Sequence, residues 1–305
     1  MNQEERLLWL NGELIKACDA RVNVLSPTAQ FGGNIFEGIR CYWNERQGQL
    51  YAFRLDDHYK RLRRSAELFR IRVPYSDEEL ENALCMAVTA NRYKTDIAVR
   101  QTIFLDGYGS WFSQEPVGMF IAPIEKARRE MPLDKAVTCM VSTWERIHEG
   151  VLSPKAKIGA NYINSRFALL EARENGFDTA LFLNREGTVS EGPGACFFLV
   201  KDGRLVTPSL DSSILESITR DTLLQIARQD IGIEVEERRV EEEELYACNE
   251  AFFCGSAVEL EPVSKINHHV VSEKPGPITQ ALHRKYLEIV TGENSEYRHW
   301  LTAIT

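Results

Sequence analysis

Residues 155–166 read KAKIGANYINSR. Two lysines, Lys155 and Lys157, precede a glycine, an asparagine and Tyr162. The run YINSRFALLEAREN that starts there has the apolar spacing of a helix, with Gly176 as its stop. A lysine in a loop leading into a helix is ordinarily a solvated charge. A lysine that does covalent chemistry reacts as the neutral amine and needs partly desolvated surroundings. Which description applies to Lys157 decides how the rest of the chain is read.

Downstream, TALFLN, TVSE and ACFFLVKDGRLVTP predict strands, the last a hairpin turning at Asp202-Gly203. SITRDTLLQIARQDIG predicts a helix opened by Ser217 and closed by Gly232. The acidic run VEEEEL suits a helix start and reads as a solvated face, not a metal site. AFFCGSAVEL reads as an apolar strand interrupted by a small-residue turn. Upstream, Asn11-Gly12 lies between two short apolar runs and predicts a hairpin, and GIRCYW and LYAFRL predict a second one across NERQGQ. LDDHYKRLRRSAELFRI and YSDEELENALCMAVTANR predict helices, the second opened by a capping box of Ser76 and Glu79. DIAVRQTIFL, VGMFIAPI and AVTCMVSTW predict further strands.

Between them EKARREMPLDK is charged, contains Pro132 and lacks a clean period. It predicts an interdomain linker at 125–135, between a small N-terminal α/β domain at 1–124 and a large C-terminal domain at 136–305. The fold class expected is a two-domain α/β protein of mixed α+β character, without regular βαβ repeats.

The chain has 305 residues with 36 basic and 45 acidic side chains, a net charge of −9. That balance argues against nucleic acid or an anionic membrane as main partner. Seven cysteines, an odd number without C-x-x-C spacing, read as reduced thiols. With no apolar run of signal-peptide or membrane-spanning length, a cytoplasmic location is expected. The six histidines show no metal-ligand spacing, and His268-His269 reads as an exposed loop. There is no P-loop and no G-x-G-x-x-G, and EGPGAC is a glycine-rich turn. One feature has intrinsic chemistry: Ser217, Ile218 and Thr219 begin a helix, where backbone N–H groups can bind an anion. The alternative there is plain helix capping.

Several separated motifs together resemble a known family. FGGNIFEGIRCYW, HYKRLRRSAELF, VSTWERI, KIGANYINSRFALLEARENGFDTALFLNREGTVSEGPG, ILESITRD and CGSAVELEPV occur in order over nearly the whole chain. They resemble the class IV aminotransferases, the pyridoxal-phosphate enzymes of fold type IV (D-amino-acid aminotransferase-like), and most of all the branched-chain amino-acid aminotransferases. The resemblance implies pyridoxal 5'-phosphate as cofactor, an amino acid and a keto acid as substrates, 2-oxoglutarate as the expected acceptor, and at least a homodimer. It implies that Lys157 forms the Schiff base while Lys155 is structural or exposed, and that Tyr162 bonds the phenolic oxygen. It implies that Glu191 faces the pyridine nitrogen. Arg61, the N–H groups of Ile218 and Thr219, and Ser256 are implied to hold the phosphate. Ser256 and Ala257 would offer amides to the substrate carboxylate, and Phe36 and Arg40 would look into the substrate pocket.

Departures from the family pattern cluster around the substrate. Phe31 and Ala98 stand where tyrosines are common, while Arg100, which in the family can receive the distal carboxylate of glutamate, is kept. The aromatic pair common near the end of the small domain is not evident in APIEKARREM. Ser217 replaces the usual glycine of the phosphate cup, and Cys196 an asparagine. The cofactor machinery reads as intact and the amino-acid pocket as remodelled. The alternatives left open are a D-amino-acid or (R)-amine transaminase, an aminodeoxychorismate lyase, and a cofactor-free binding protein on the same fold.

Overall fold

The computed structural model describes residues 4–304 and divides the chain into two compact units. One takes the chain up to Arg128, Ala156–Ala160, and the chain from Ile289 on; the other takes Arg129–Lys155 and Asn161–Glu288.

The first unit begins with the hairpin of β1 (Leu7–Leu10) and β2 (Glu13–Lys16). Both its turn residues have positive φ, Asn11 at 49° and Gly12 at 105°, which explains the Asn-Gly pair. A short helix α1 (Pro27–Phe31) starts on Ser26, whose Oγ accepts from the Ala29 N–H. Then come β3 (Asn34–Asn44), β4 (Gln49–Phe53), α2 (Leu55–Phe69), α3 (Asp77–Ala90), β5 (Ile97–Leu105) and β6 (Val117–Glu125). The capping box at Ser76 and Glu79 is formed in both directions. The core of this unit joins Ile35 and Ile39 of β3, Leu55, Tyr59 and Leu62 of α2, Leu80 and Leu84 of α3, and Ile97 and Ile103 of β5. Alternation along β3 assigns Ile35, Glu37 and Ile39 to one face and Phe36, Gly38 and Arg40 to the other.

The second unit holds β7 (Val137–Val141), α4 (Tyr162–Glu174), β8 (Thr179–Leu181), β9 (Cys196–Lys201), β10 (Arg204–Pro208), α5 (Ile218–Ile226) and β11 (Val235–Arg238). It continues through β12 (Glu250–Gly255), β13 (Glu259–Ile266), β14 (His269–Val270) and most of α6 (Pro277–Val290), whose last two residues belong to the first unit. The sheet order is β11-β10-β9-β12-β13-β7-β8, with β14 added on β13. The β10–β11, β13–β7 and β7–β8 pairs are parallel, the others antiparallel. Phe197, Leu199, Phe253, Val263 and Ile266 form its core on one side, and Phe198 stacks on Phe252, centroids 5.1 Å apart.

TVSE is not a strand of this sheet. Val189 makes only an isolated bridge to Leu183, and its N–H donates to Val240 O while Ser190 N–H donates to Phe182 O. With its backbone bonds spread over Asn184, Phe182 and Val240, the segment carries Glu191 into the Gly192–Gly194 turn. His269 belongs to the two-residue β14, where its edge meets the Tyr246 ring; His268 is exposed as expected.

The last strand, β15 (Leu301–Ala303), corrects the expected domain limits. It pairs antiparallel with β4, which gives the first unit the sheet order β15-β4-β3-β5-β6-β1-β2, antiparallel throughout. The end of the chain is therefore not part of a 136–305 domain. The cause is an edge: β4 has backbone groups to satisfy, and β15 satisfies them. Arg54 N–H also donates to Trp300 O, and Asn44 Nδ2 donates to Thr291 O at 2.7 Å. The expected linker at 125–135 contains the unit boundary, which falls between Arg128 and Arg129.

Leu62 is fully buried, whereas Leu68 on the same helix is 51% exposed. Leu62→Ala is expected to lower stability by about 2–5 kcal/mol and Leu68→Ala by less than about 1 kcal/mol, measured by chemical denaturation.

Candidate active site

Lys157 lies in the short segment that belongs to the first unit. Its carbonyl accepts from Phe36 N–H at 3.0 Å, its own N–H donates to Ser65 Oγ at 3.0 Å, and Ile158 bridges to Ile35. The backbone is thus held by β3 on one side and α2 on the other. The Nζ stands 5.0 Å from the centre of the Phe36 ring, and the Arg100 guanidinium lies 4.0 Å from the same centre. Lys155 is exposed and meets Glu149 at 3.4 Å.

Register explains this grouping. Phe36, Gly38 and Arg40 of β3 pair with Thr102, Arg100 and Ala98 of β5, so the six share one sheet face. A Cβ at Gly38 would meet nothing within 4 Å, which leaves room on this face. Arg40 is buried, with its guanidinium 5.1 Å from the centre of the Tyr42 ring. Ala98 is half-buried; Phe31, at the end of α1, is 52% exposed.

The opposite face of β3 carries Glu37, fully buried, and a buried carboxylate needs partners. Arg61 supplies two, Nε to Oε1 at 2.9 Å and Nη2 to Oε2 at 2.6 Å, and His58 Nδ1 lies 2.7 Å from Oε2. Burial alone would raise the Glu37 pKa, but the Arg61 charge and the bonds from Arg61 and His58 hold it well below the usual carboxylate range. His58 is lowered from its ordinary value: burial disfavours the imidazolium more than Glu37, already taken by Arg61, favours it. Arg63, by contrast, pairs with Asp77 at the surface. Sequence reasoning missed Glu37 and His58. The signal was there: a glutamate on the apolar face of a strand, and a histidine three residues before Arg61 on one helix face.

In the second unit Tyr162 opens α4 beside Gly194, where an added Cβ would meet only the Tyr162 ring, at 3.9 Å. Glu191 is buried, and its Oε1 accepts from Arg146 Nη2 at 2.6 Å and from Leu215 N–H at 3.3 Å. Arg146 was not singled out from sequence. The Cys196 Sγ lies 3.7 Å from Glu191 Oε2, and burial, then the Glu191 charge, push its thiol up to about 12. At the head of α5, Ser217 Oγ accepts from Arg220 N–H at 3.2 Å and Ser217 O from Asp221 N–H at 3.0 Å. The N–H groups of Ile218 and Thr219, both buried residues, lie ahead of these and outside the helical ladder. The helix is fixed by Arg220, which donates to Pro208 O at 2.9 Å and Glu237 at 3.0 Å. Ser256, half-buried, and Ala257, exposed, form the turn between β12 and β13.

The first unit carries the Lys157 amine and the buried Arg61, and these suit a ligand with an aldehyde and a phosphate. The second carries the buried, Arg146-paired Glu191 carboxylate and the hydroxyl-rich start of α5, and these suit a ligand with a basic ring nitrogen and a phosphate. The open position at Gly194 beside the Tyr162 ring suits a flat ring as neighbour. The family model "Amino-transferase class IV" matches residues 34–266. The branched-chain-amino-acid aminotransferase of Salmonella typhimurium is 35% identical over 303 residues, 97% of each chain. The crystal structure of the branched-chain amino acid aminotransferase from Thermobaculum terrenum in its PLP form is 40% identical with a TM-score of 0.93, covering 100% of both chains. The T.th. branched-chain amino acid aminotransferase complexed with N-(5'-phosphopyridoxyl)-L-glutamate is 35% identical with a TM-score of 0.92, covering 99% of both. The chain belongs to the class IV aminotransferases and is a pyridoxal-phosphate-dependent aminotransferase. Among the described residues no helix is long and apolar enough to cross a membrane, and none of the seven cysteines forms a disulfide.

The buried histidines make stability depend on pH. His283, with Nδ1 3.0 Å from Met131 Sδ, is lowered to about 4 by burial and then by the Arg129 charge; His58 is lowered too. Below about 6.5 the unfolded chain binds protons that the folded one refuses. Stability is therefore full above about 6.5 and is lost as pH falls toward the folded values, and Glu37 extends the loss below about 4.3. Thermal melting is expected to drop between pH 7.5 and 5, with a flatter slope in His283→Gln.

Proposed function

We propose that this enzyme transaminates branched-chain L-amino acids, with 2-oxoglutarate as acceptor, as a cytoplasmic homodimer. The observation that carries the reading is the Phe36 ring with Lys157 and Arg100 both against it. An enzyme that takes a hydrocarbon side chain in one half-reaction and a distal carboxylate in the other needs an apolar surface beside a cation, within reach of the reactive amine. Support for the dimer comes from the loop between β5 and β6, which exposes Tyr108, Trp111 and Phe112 at 82%, 73% and 69%.

When bound, pyridoxal 5'-phosphate supplies an electron sink for the pair left on the substrate α-carbon. Lys157 would hold the cofactor through its amine, and the same amine would serve as base and then as acid toward the substrate α-carbon. Glu191 would hold the proton on the pyridine nitrogen, and Tyr162 would bond the phenolic oxygen. Arg61, the N–H groups of Ile218 and Thr219, and the Ser256 hydroxyl would bind the phosphate. The amides of Ser256 and Ala257 orient the substrate carboxylate. Phe36, Arg40, Ala98 and Arg100 line the pocket.

Lys157→Ala is expected to abolish multiple turnover while Lys155→Ala keeps most of it; near-normal turnover by Lys157→Ala would sink the assignment. Glu191→Gln is expected to retain cofactor and lose about 10²–10³ in kcat. A panel of amino donors of both hands, with and without 2-oxoglutarate, separates this reading from a D-selective transaminase and from a lyase.

Phe31 and Ala98 favour a second feature, a pocket that tolerates donors beyond the branched-chain three. An aliphatic pocket separates substrates by only about 1–3 kcal/mol per methylene. Ala98→Tyr is expected to raise kcat/KM for leucine relative to a bulkier donor. An unchanged ratio in the folded, cofactor-loaded variant would remove Ala98 from the pocket.

A further inference from the structure

We propose that Arg146 is a positioning residue for the cofactor ring: it fixes the Glu191 carboxylate and ties it to the helix that Tyr162 opens. The inference rests on the proposed contacts of Glu191 with the pyridine nitrogen and of Tyr162 with the phenolic oxygen.

Arg146 is anchored at its backbone, whose N–H donates to Leu183 O at 2.9 Å. Its side chain is only 8% exposed, and the guanidinium lies 5.4 Å from the centre of the Phe182 ring. From there Nη2 meets Glu191 Oε1 at 2.6 Å, while Nη1 approaches Asn164 Oδ1 at 3.5 Å and Ser165 Oγ at 3.4 Å. Asn164 and Ser165 stand two and three residues after Tyr162, in the first turn of α4. One rigid planar fork thus touches both the carboxylate and the helix start, a geometry that a lysine cannot reproduce. The second donor on Oε1, the Leu215 N–H, restricts the carboxylate further. A further neighbour is the Cys196 thiol, 3.7 Å from Oε2, whose titration burial pushes up.

The consequence is directional. The guanidinium at 2.6 Å gives the Glu191 carboxylate a fixed plane, so that a ring nitrogen bound there would meet an oriented acceptor. Without Arg146 the carboxylate loses the partner that sets that plane.

The test is a double-mutant cycle on the holoenzyme with two readouts: kcat, and the pH dependence of the visible absorption band recorded during titration with pyridoxal 5'-phosphate. Arg146→Met is expected to lower kcat by about 10–100-fold and to shift the pH dependence of the band. In a Glu191→Gln background the same change is expected to add less than about 3-fold and no further band shift, because Arg146 acts through Glu191. Arg146→Lys is expected to fall between wild type and Arg146→Met. If Arg146→Met and Glu191→Gln each act and their losses multiply, the inference is overturned while the reading of Glu191 stands. If Glu191→Gln alone changes neither readout, it is the underlying reading that fails. Should Arg146→Met not fold, the cycle is run with Arg146→Lys; a multiplicative loss, or a lysine enzyme indistinguishable from wild type, overturns the proposal.

Discussion

The attachment of residues 156–160 to β3 and α2 is the constraint on which the site depends. The chain before Ala156 and after Ala160 belongs to the second unit, yet Ala156–Ala160 is bonded into the first. Two hydrogen bonds to the Lys157 backbone and the Ile158 bridge tie that residue to β3 and α2. The lysine side chain therefore starts from an anchored backbone. Its amine stands against Phe36, whose own N–H makes one of those bonds. Local main-chain pairing and the placement of the reactive group are the same event.

Buried charge is the second theme. Glu37 and Glu191 are both buried, and each is met by an arginine at 2.6 Å. Taking such groups out of water costs several kcal/mol per ion unless the geometry of the pair is excellent, so they are poor devices for stability alone. They are good devices for orientation, because a bidentate or forked arginine fixes a plane as well as a charge. In the first unit the Glu37–Arg61–His58 group sits on the inner face of β3, opposite the face that bears Phe36, Gly38 and Arg40. In the second, Arg146 and Glu191 link α4 to the turn that follows Ser190. Arg146 thus stands one step behind Glu191 and Tyr162, while Arg61, itself proposed to reach the phosphate, is oriented by Glu37.

The helix starts and turns were legible because their causes are local. Asn11-Gly12 and Asp202-Gly203 turn where positive φ is needed, and Ser76, Ser217 and Gly232 punctuate helices by hydrogen bonds and backbone freedom within a few residues. TVSE failed as a strand because its apolar alternation describes a buried segment equally well, and its bonding partners, Phe182 and Val240, lie well apart in the sequence. The last strand was not anticipated, since three residues carry almost no periodic signal and its partner β4 stands some 250 residues earlier.

The candidate site divides along the same line. Lys157 with Tyr162, and the glutamate of the VSEGPG run, were singled out by the resemblance of short contiguous motifs to the class IV aminotransferases, and the serine-capped helix start by its local chemistry. Only the tertiary structure decided which charges stand behind them. Arg146 meets Glu191 across 45 residues and Arg61 meets Glu37 across 24. No periodicity or spacing encodes such pairs; they exist because folding removes water from both partners, and an unpaired buried charge is too costly to remain.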